Sequence, residues 1–551
     1  VSASDGALLG FGGVSIRIVD LPSRLSDGVR ISGEDEVNTF ADTAAHVGDL
    51  DGDGIDEVFV AAASSVDGID TGYLLWGQAL RDALMMGGSD RQITDLAVTE
   101  RVVFTGDDRA NTGRVSRLTG VDAGDVDNDG FDDLLILMRR DPNSADPVDM
   151  DNGPLAYLIW GSALDRGVTD SVSLTALPAS DGVALEGLAR RAAIDVVGAS
   201  ADFDGDNRSD VVLGLPEQNR TLVVFGDALA TAGTRLGLDM ADSTQAVELV
   251  SELTDLAVIQ QSGRRVATVA DMTSDGTPEL VISGEGLEPD FQSGAFIVSG
   301  SLVADAKGTL GTVNLSADEN DTRVVQATVA DVSVESLAGD GDADADGLPD
   351  LAIGHRGNFS EPRIASVVYG ATLATTLGTS DELSLDFASA TDGDAVSDVG
   401  SSAAQTVDVD PVVVRWIGNA DGASGDELMV AVPNASPLGR TDAGQLYVFT
   451  QANLQSGGGD LRVDSTSPDA AQGRVLLGYG TGVRTGRELF VLDLDGDQAL
   501  EIGSGSALAA SEAAQQASGG LVIFPGTIVG DAIDAADGAS DLATTVVVEA
   551  P

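Results

Sequence analysis

Apolar residues in this chain fall into short runs that recur with the same polar neighbours. Residues 47–62 read VGDLDGDGIDEVFVAA, a loop dense in aspartate and glycine followed by an unbroken apolar run from 58. A run this short, rich in β-branched and aromatic residues and bounded by turn formers, predicts a buried strand. A third run follows at 72–77 (GYLLWG) and a fourth at 101–106 (RVVFTG). The order then repeats. Loops at 125–133 (DVDNDGFDD), 202–210 (DFDGDNRSD), 271–279 (DMTSDGTPE), 342–350 (DADADGLPD), 419–427 (NADGASGDE) and 493–501 (DLDGDQALE) each precede an apolar run, and third runs end at 157–161 (YLIWG), 222–226 (LVVFG), 295–300 (AFIVSG), 367–370 (VVYG), 446–450 (LYVFT) and 521–526 (LVIFPG).

The seven loops start 69 to 77 residues apart and use up the chain. A period that long, with short strands and no sustained helical periodicity, predicts an all-β fold: a seven-bladed β-propeller with four-stranded antiparallel blades. Ring closure buries sheet faces that a lone blade would expose and hides long sheet edges. Approximate blades are 34–107, 108–187, 188–251, 252–329, 330–400, 401–477 and 478–551, within a single domain spanning 1–551. The segment 1–33 holds β-like runs at 14–19 and 29–32; the second is expected to complete blade seven as its fourth strand, leaving the similar run at 545–549 as a blade-edge addition or a lead into a following domain. Segments 139–152 and 505–519 are long enough to be surface excursions.

In the first loop Asp49, Asp51, Asp53 and Glu57 stand at positions 1, 3, 5 and 9, with Gly54 at position 6. Four carboxylates within ~4–6 Å repel by roughly 1–4 kcal/mol per pair, so such a loop needs a cation. Calcium, with six to eight hard oxygen ligands in flexible geometry, suits it. Asp/Gly-rich hairpin turns would account for one such loop, but not for a carboxylate spacing repeated in several.

Charge narrows the partners. Against 90 Asp+Glu stand 29 Lys+Arg, a formal net charge of −61, and Lys307 is the single lysine. Binding to phosphate backbones or anionic membranes is disfavoured, so neither nucleic acid nor direct membrane insertion is expected. Much of the acidity reads as a solvated surface suited to salty surroundings. The 43% of hydrophobic residues, regularly spaced, argues against disorder. No cysteine is present, which excludes disulfides and leaves metal loops as the candidate cross-links. No apolar run reaches the ~18 residues of a membrane span, and Val1 does not open a signal peptide; the chain reads as a mature or excised soluble piece, at an extracellular or cell-surface location.

The DxDxDGxxD-type loops, post-loop strands such as 211–216 (VVLGLP) and 429–433 (MVAVP), and the third strands ending in aromatic-glycine resemble the FG-GAP repeats that build the seven-bladed propeller of integrin α subunits. The resemblance covers nearly the whole chain. It departs from the family in an eroded Phe-Gly signature and in lacking an inserted adhesive domain with a DxSxS site or an Arg-Gly-Asp tripeptide. It implies calcium loops between the first two strands of most blades, in which positions 1, 3, 5 and 9 give side-chain oxygens and position 7 a backbone carbonyl.

Carried over, the implied ligands of loop one are Asp49, Asp51, Asp53, Glu57 and the carbonyl of Ile55. Those of loop two are Asp125, Asp127, Asp129, Asp133 and the carbonyl of Phe131, and those of loop five Asp342, Asp344, Asp346, Asp350 and the carbonyl of Leu348. Loop three offers Asp202, Asp204, Asp206, Asp210 and the carbonyl of Arg208, with Asn207 in place of glycine, a residue that tolerates left-handed backbone. Loop seven offers Asp493, Asp495, Asp497, Glu501 and the carbonyl of Ala499, with Gln498 at position 6. Loop four keeps Asp271, Asp275 and Glu279 but has Thr273 at position 3, and loop six, with Ala423 at position 5, reads as a metal-free turn. The expectation is about five calcium ions, with loop four as a sixth site, each pinning a blade structurally.

Catalytic motifs are scarce. His46 and His355 are the only histidines, both on expected strands beside calcium loops, where packing is the simpler role. No GxSxG elbow, HExxH helix or P-loop lysine motif occurs, and the glycine-rich 478–486 reads as a turn because no strand and long helix flank it. Trp76 and Trp160 share their repeat position with Phe225, Tyr369, Phe449 and Phe524, a pattern of packing between blades, whereas Trp416 stands outside it. The leading expectation is a non-enzymatic adhesion or ligand-binding module, part of a larger surface protein or assembly, that meets a protein or glycan on the face opposite the calcium loops. That face draws on segments such as 64–71, 139–152, 284–293 and 507–519. The alternative is a polysaccharide lyase, or a lectin, on a calcium-bearing propeller.

Overall fold

The computed structural model describes residues 9–11, 14–16, 29–33, 38–64, 71–86, 89–106, 117–139, 156–186, 197–239, 242–251, 262–287, 292–315, 322–329, 332–357, 363–380, 382–385, 393–398, 412–419, 424–436, 441–456, 460–463, 474–477, 484–494, 500–506, 520–524 and 545–547. Strands are numbered in chain order. Among the described residues β1 (Leu9–Phe11) and β2 (Val14–Ile16) pair only with each other. Every other described strand belongs to one of seven five-stranded sheets.

Blade one holds β4 (Asn38–His46), β5 (Val58–Ser64), β6 (Thr71–Leu75) and β8 (Arg101–Thr105). Blade two holds β9 (Arg117–Gly124), β10 (Asp133–Arg139), β11 (Ala156–Ile159) and β13 (Gly182–Glu186). Blade three holds β14 (Val197–Ala201), β15 (Asp210–Leu215), β16 (Arg220–Val224) and β18 (Ala246–Val250). In blade four these are β19 (Val266–Val269), β20 (Glu279–Leu287), β21 (Gln292–Val298) and β23 (Val324–Val329). In blade five they are β24 (Val332–Gly341), β25 (Asp350–Gly357), β26 (Arg363–Val368) and β28 (Gly393–Asp398). Blade six has β29 (Val413–Trp416), β30 (Leu428–Val432), β31 (Gln445–Phe449) and β33 (Arg474–Leu477). Blade seven combines β34 (Glu488–Leu492), β35 (Glu501–Ser506) and β36 (Gly520–Phe524) from one end of the chain with β3 (Val29–Ser32) from the other, Val29 lying opposite Ile523.

All four strands of a blade run antiparallel, and the first strands of neighbouring blades touch around the ring, with β34 closing against β4. The fifth strand of each sheet is an addition to the four-stranded blade that the sequence pattern predicts. It is lent by the next blade, from the chain between that blade's third and fourth strands, and pairs parallel to the fourth strand of the sheet that receives it. β12 (Ser171–Ser173) thus edges sheet one, β17 (Arg235–Gly237) sheet two, β22 (Thr312–Asn314) sheet three, β27 (Glu382–Ser384) sheet four and β32 (Asp460–Val463) sheet five. β37 (Thr545–Val547) edges sheet six, and β7 (Ser89–Gln92) pairs with β3 at the edge of sheet seven.

The same connections carry short helices just after the third strands: α1 (Gly77–Met85), α2 (Gly226–Thr231), α3 (Gly300–Ala306), α4 (Gly370–Thr376) and α5 (Gln451–Ser456), with a 3₁₀ turn at Gly161–Ala163 in that place in blade two. None of the described helices is long and apolar enough to cross a membrane.

Second strands are apolar without alternation because both of their faces are covered. Leu134, Leu135, Ile136 and Leu137 of β10 are all buried, Leu134 and Ile136 packing toward blade one and Leu135 and Leu137 toward blade three. Seven separate apolar clusters fill the seven gaps between neighbouring blades. Trp76, Trp160, Phe225, Tyr369 and Phe449 all lie in them, as does Trp416, whose Nε1 donates to the Ala338 carbonyl at 3.2 Å. The side chain of Phe524 lies outside the description.

The ring's closure depends on apolar contact by β3, since Val29 and Ile31 join the cluster between blades seven and one. Ile31→Ala is expected to cost about 2–5 kcal/mol. It should appear as a lower urea midpoint with an unchanged slope, because the native fold and the surface exposed on unfolding stay the same.

Candidate metal centre

The loops between first and second strands in blades one to five are each built by their own backbone. In loop two the Asp125 carboxylate accepts from the amides of Asp129 and Gly130, both at 3.0 Å, and Asp129 accepts from Phe131 at 3.1 Å. Loops one and five repeat this: Asp49 accepts from Asp53 and Gly54 and Asp53 from Ile55, while Asp342 accepts from Asp346 and Gly347 and Asp346 from Leu348. In loop three Asp202 accepts from Asp206 and Asn207, and Asp206 from Arg208. In loop four Asp271 accepts from Asp275 and Gly276. These bonds wrap the chain around the carboxylate at position 1, leaving the other acids turned toward one point.

The wrapping needs left-handed backbone twice. Position 6 has φ of +85° at Gly54, +95° at Gly130, +64° at Asn207, +95° at Gly276 and +85° at Gly347. Position 4 is left-handed as well, at Gly52, Asn128, Gly205, Ser274 and Ala345, a requirement the acidic spacing does not reveal. Ala345, at φ +60°, is the least suited of these. Ala345→Gly is therefore expected to stabilise the protein by up to about 1 kcal/mol, against the extra freedom glycine gives the unfolded chain; a thermal melt reads it.

Position 9 is anchored differently. Asp133 is fully buried and takes the Val126 amide on Oδ2 and the Gly161 amide on Oδ1, both at 2.9 Å. Asp210 takes those of Phe203 and Gly226, Asp350 those of Ala343 and Gly370, and Glu57 those of Leu50 and, at 3.4 Å, Gly77. Glu279 accepts from Met272 and from the Thr273 hydroxyl, so the threonine that replaces a carboxylate in loop four still ties that loop together. In loop seven Glu501 accepts from Leu494 at 2.8 Å.

The glycine that follows the third strand in blades one, two, three and five thus belongs to the site, although in the sequence it is only part of a strand signature. A Cβ on Gly77, Gly161, Gly226, Gly300 or Gly370 would fall 2.1–2.7 Å from the carbonyl oxygen of the loop's eighth residue. Only glycine lets the helix or turn start close enough to set its amide against the position-9 carboxylate, and the recurrence of a glycine closing the third run in six of the seven repeats is the signal for it in the sequence.

Neighbouring loops are also latched together. The Asp132 amide donates to the Asp49 carbonyl while its carboxylate accepts from the Asp49 amide, and Asp426 does the same to Asp342. Ser209 makes the amide half of this latch to Asp125.

Carboxylate oxygens of Asp49, Asp51 and Asp53 lie within 4.8 Å of one another, as do those of Asp125, Asp127 and Asp133, of Asp202, Asp204 and Asp206, of Asp271, Asp275 and Glu279, and of Asp342, Asp344 and Asp350. Two oxygens bound to one calcium at about 2.3–2.6 Å are separated by at most about 5 Å, so all five sets fit one ion. Asp127 supplies a second sign of fit: its Oδ1 is buried and has no hydrogen-bond partner among the described residues. Asp495, Asp497 and Ala499 of loop seven, and residues 420–423 of loop six, lie outside the described residues.

Electrostatics follow from burial. Burial pushes the Glu57 carboxyl up to about 9, those of Asp133, Asp210 and Asp350 up to about 8 and that of Glu279 up to about 7. Asp51, Asp127, Asp206 and Asp344 are raised too, by burial first and by neighbouring carboxylates after it. At Asp275 burial is outweighed by hydroxyl donors, chiefly Thr277, and the carboxyl falls. A divalent cation would reverse most of these shifts, since it favours the ionised form that burial penalises.

The two histidines do not form a site. His355 is fully buried with Nε2 2.9 Å from the Ser366 hydroxyl, and burial lowers the pKa of His46. The described end of the glycine-rich 478–486 segment is a turn leading into β34. Of the segments expected on the far face, 284–287 and 292–293 extend the β20–β21 hairpin, residues 64, 71 and 139 end or begin strands, and the remainder, including all of 507–519, lies outside the described residues.

Compared with known proteins, the chain matches no family model. No curated protein matches it significantly. The class is set by the fold and its loops: a seven-bladed β-propeller with acidic clusters able to hold metal ions in five blades. The likeness to FG-GAP repeats rests on the sequence motifs alone.

Proposed function

We propose that the protein is an extracellular, calcium-stabilised propeller acting as an adhesion or ligand-binding module, with its calcium ions structural. The observation that carries this reading is the repetition of one anchored acidic loop in register through five blades. A catalytic ion is needed once, whereas a structural one is useful wherever the unit recurs. Loops of this kind bind calcium with a Kd of about 10⁻⁴–10⁻³ M, which suits surroundings rich in the ion. The ligand, a protein or glycan, would meet the face opposite the calcium loops, where connections differ in length from blade to blade.

Equilibrium dialysis at millimolar calcium should count about five ions per chain, matching the five clusters. Displayed on beads, the protein should retain partners from an array of matrix proteins and glycans in calcium but not in chelator. Failure to take up calcium, or capture of nothing from the array, overturns the corresponding half of the proposal. Release of unsaturated ends from an acidic polysaccharide would put a lyase in its place.

A further inference from the structure

Lys307, alone among 551 residues in being a lysine, is placed against a calcium loop. It caps the C-terminus of α3 in blade four and reaches back to blade three. There its ammonium pairs closely with Asp204, the third-position carboxylate of loop three, and with Asp227 Oδ1 of α2 at 3.0 Å. It also stands 4.3 Å above the centre of the Phe225 ring. Asp204 is nearly buried, its side chain 8% exposed, so this pair is shielded from solvent far better than an ordinary surface ion pair.

Other loops are treated differently. In loop two Arg208 of the next blade lies near the corresponding Asp127 but gives its Nη1 to the Val126 carbonyl, and Asp127 Oδ1 has no hydrogen-bond partner among the described residues. In loop five the following blade contributes Gln451, which is neutral and donates to the backbone carbonyl of Asp344 rather than to its carboxylate. In loop one Arg166 approaches Asp53 only to 3.5 Å, and its Nε is already committed to the Thr99 carbonyl.

We propose that Lys307 is a tethered counter-ion for loop three, which neutralises Asp204 while calcium is absent and competes with the ion for that carboxylate. Resting on the reading of these loops as calcium sites, this makes loop three a weaker site than loops two and five despite an equal number of acids. Asp227 and the Phe225 face give the ammonium a resting place once calcium takes Asp204. The connection that carries Lys307 goes on to supply β22, the outer strand of sheet three. Occupancy of loop three is thereby tied to the contact between blades three and four.

Calcium titration calorimetry on the whole chain tests the proposal. Lys307→Met keeps the apolar stem and removes the charge, and Lys307→Gln is a second neutral replacement. In both, one binding event should tighten by about tenfold, as expected when a cation beside a ligand is removed, and Asp204→Asn added to either variant should abolish the gain. In chelator both variants should melt below the parent, because loop three has lost its counter-ion. Calcium uptake by the parent with no tightening in either variant overturns the role of Lys307 alone. A parent that takes up no calcium overturns the reading of the loops, and this proposal with it.

Discussion

Stripped of calcium at pH 8, the protein is expected to melt roughly 6–12 °C below its calcium-loaded form. At about 10 mM free ion and a Kd of about 0.1–1 mM, each loop adds roughly 1.4–2.7 kcal/mol by mass action. Five loops then add roughly 7–14 kcal/mol. An unfolding entropy of about 2.1 cal/mol/K per residue gives about 1.2 kcal/mol/K for 551 residues unfolding as one ring, and the quotient is the shift stated.

The pH dependence should have opposite signs in the two forms. Glu57, Asp133, Asp210, Asp350 and Glu279 are all raised above the ordinary carboxylate range in the calcium-free fold. That fold therefore holds protons that the unfolded chain would release. Stability from this source is fully present below about pH 4, and it is lost as the pH rises through the window of about 7 to 9 set by those groups. Calcium requires the same groups ionised, so calcium-dependent stability grows as the pH rises. Melts from pH 5 to 9, with ion and with chelator, should diverge toward high pH; parallel curves would sink the assignment of these carboxylates as ligands.

Within one loop, positions 9 and 3 should separate cleanly. Asp133→Ala removes the acceptor for two buried amides, those of Val126 and Gly161. Leaving both unsatisfied costs about 1–3 kcal/mol each, so roughly 2–6 kcal/mol should be lost even in chelator. Asp127→Ala removes a carboxylate that burial and its neighbours already raise and that has one oxygen unpartnered. In chelator its melting point should hold or rise slightly. With calcium present both variants lose the ion, and the stabilisation by calcium should fall by a similar amount in each. Equal losses in chelator would show that position 9 is no more structural than position 3.

The loops were legible because a carboxylate spacing repeated in register has no simpler physical cause, and the blades because runs such as 134–137 are too short and too evenly apolar for anything but strands covered on both sides. What stayed hidden was what depends on the next blade. β12 and β22 are three residues long with mostly polar, partly exposed side chains, too short to show a period, and they become strands only because the preceding sheet offers an edge. Gly161 looked like the end of a strand, since its closeness to the Asp132 carbonyl is a matter of three dimensions. Lys307 stands out in the sequence only by its rarity, since its partner Asp204 lies 103 positions earlier in the chain.

The shared strands also decide how the ring would respond to a pull. In six blades the chain runs on from the lent strand to the blade's own fourth strand, but in blade seven β37 and β3 stand on either side of a break. Tension drawn through the chain before β3 and after β37 would fall on that seam. β37 holds by a three-residue parallel pairing to β33, whereas β3 is gripped on both sides, by β36 and by β7. With the fewer pairings among the described residues, the outer strand is expected to slip before β3, so that the ring stays shut when the edge gives way.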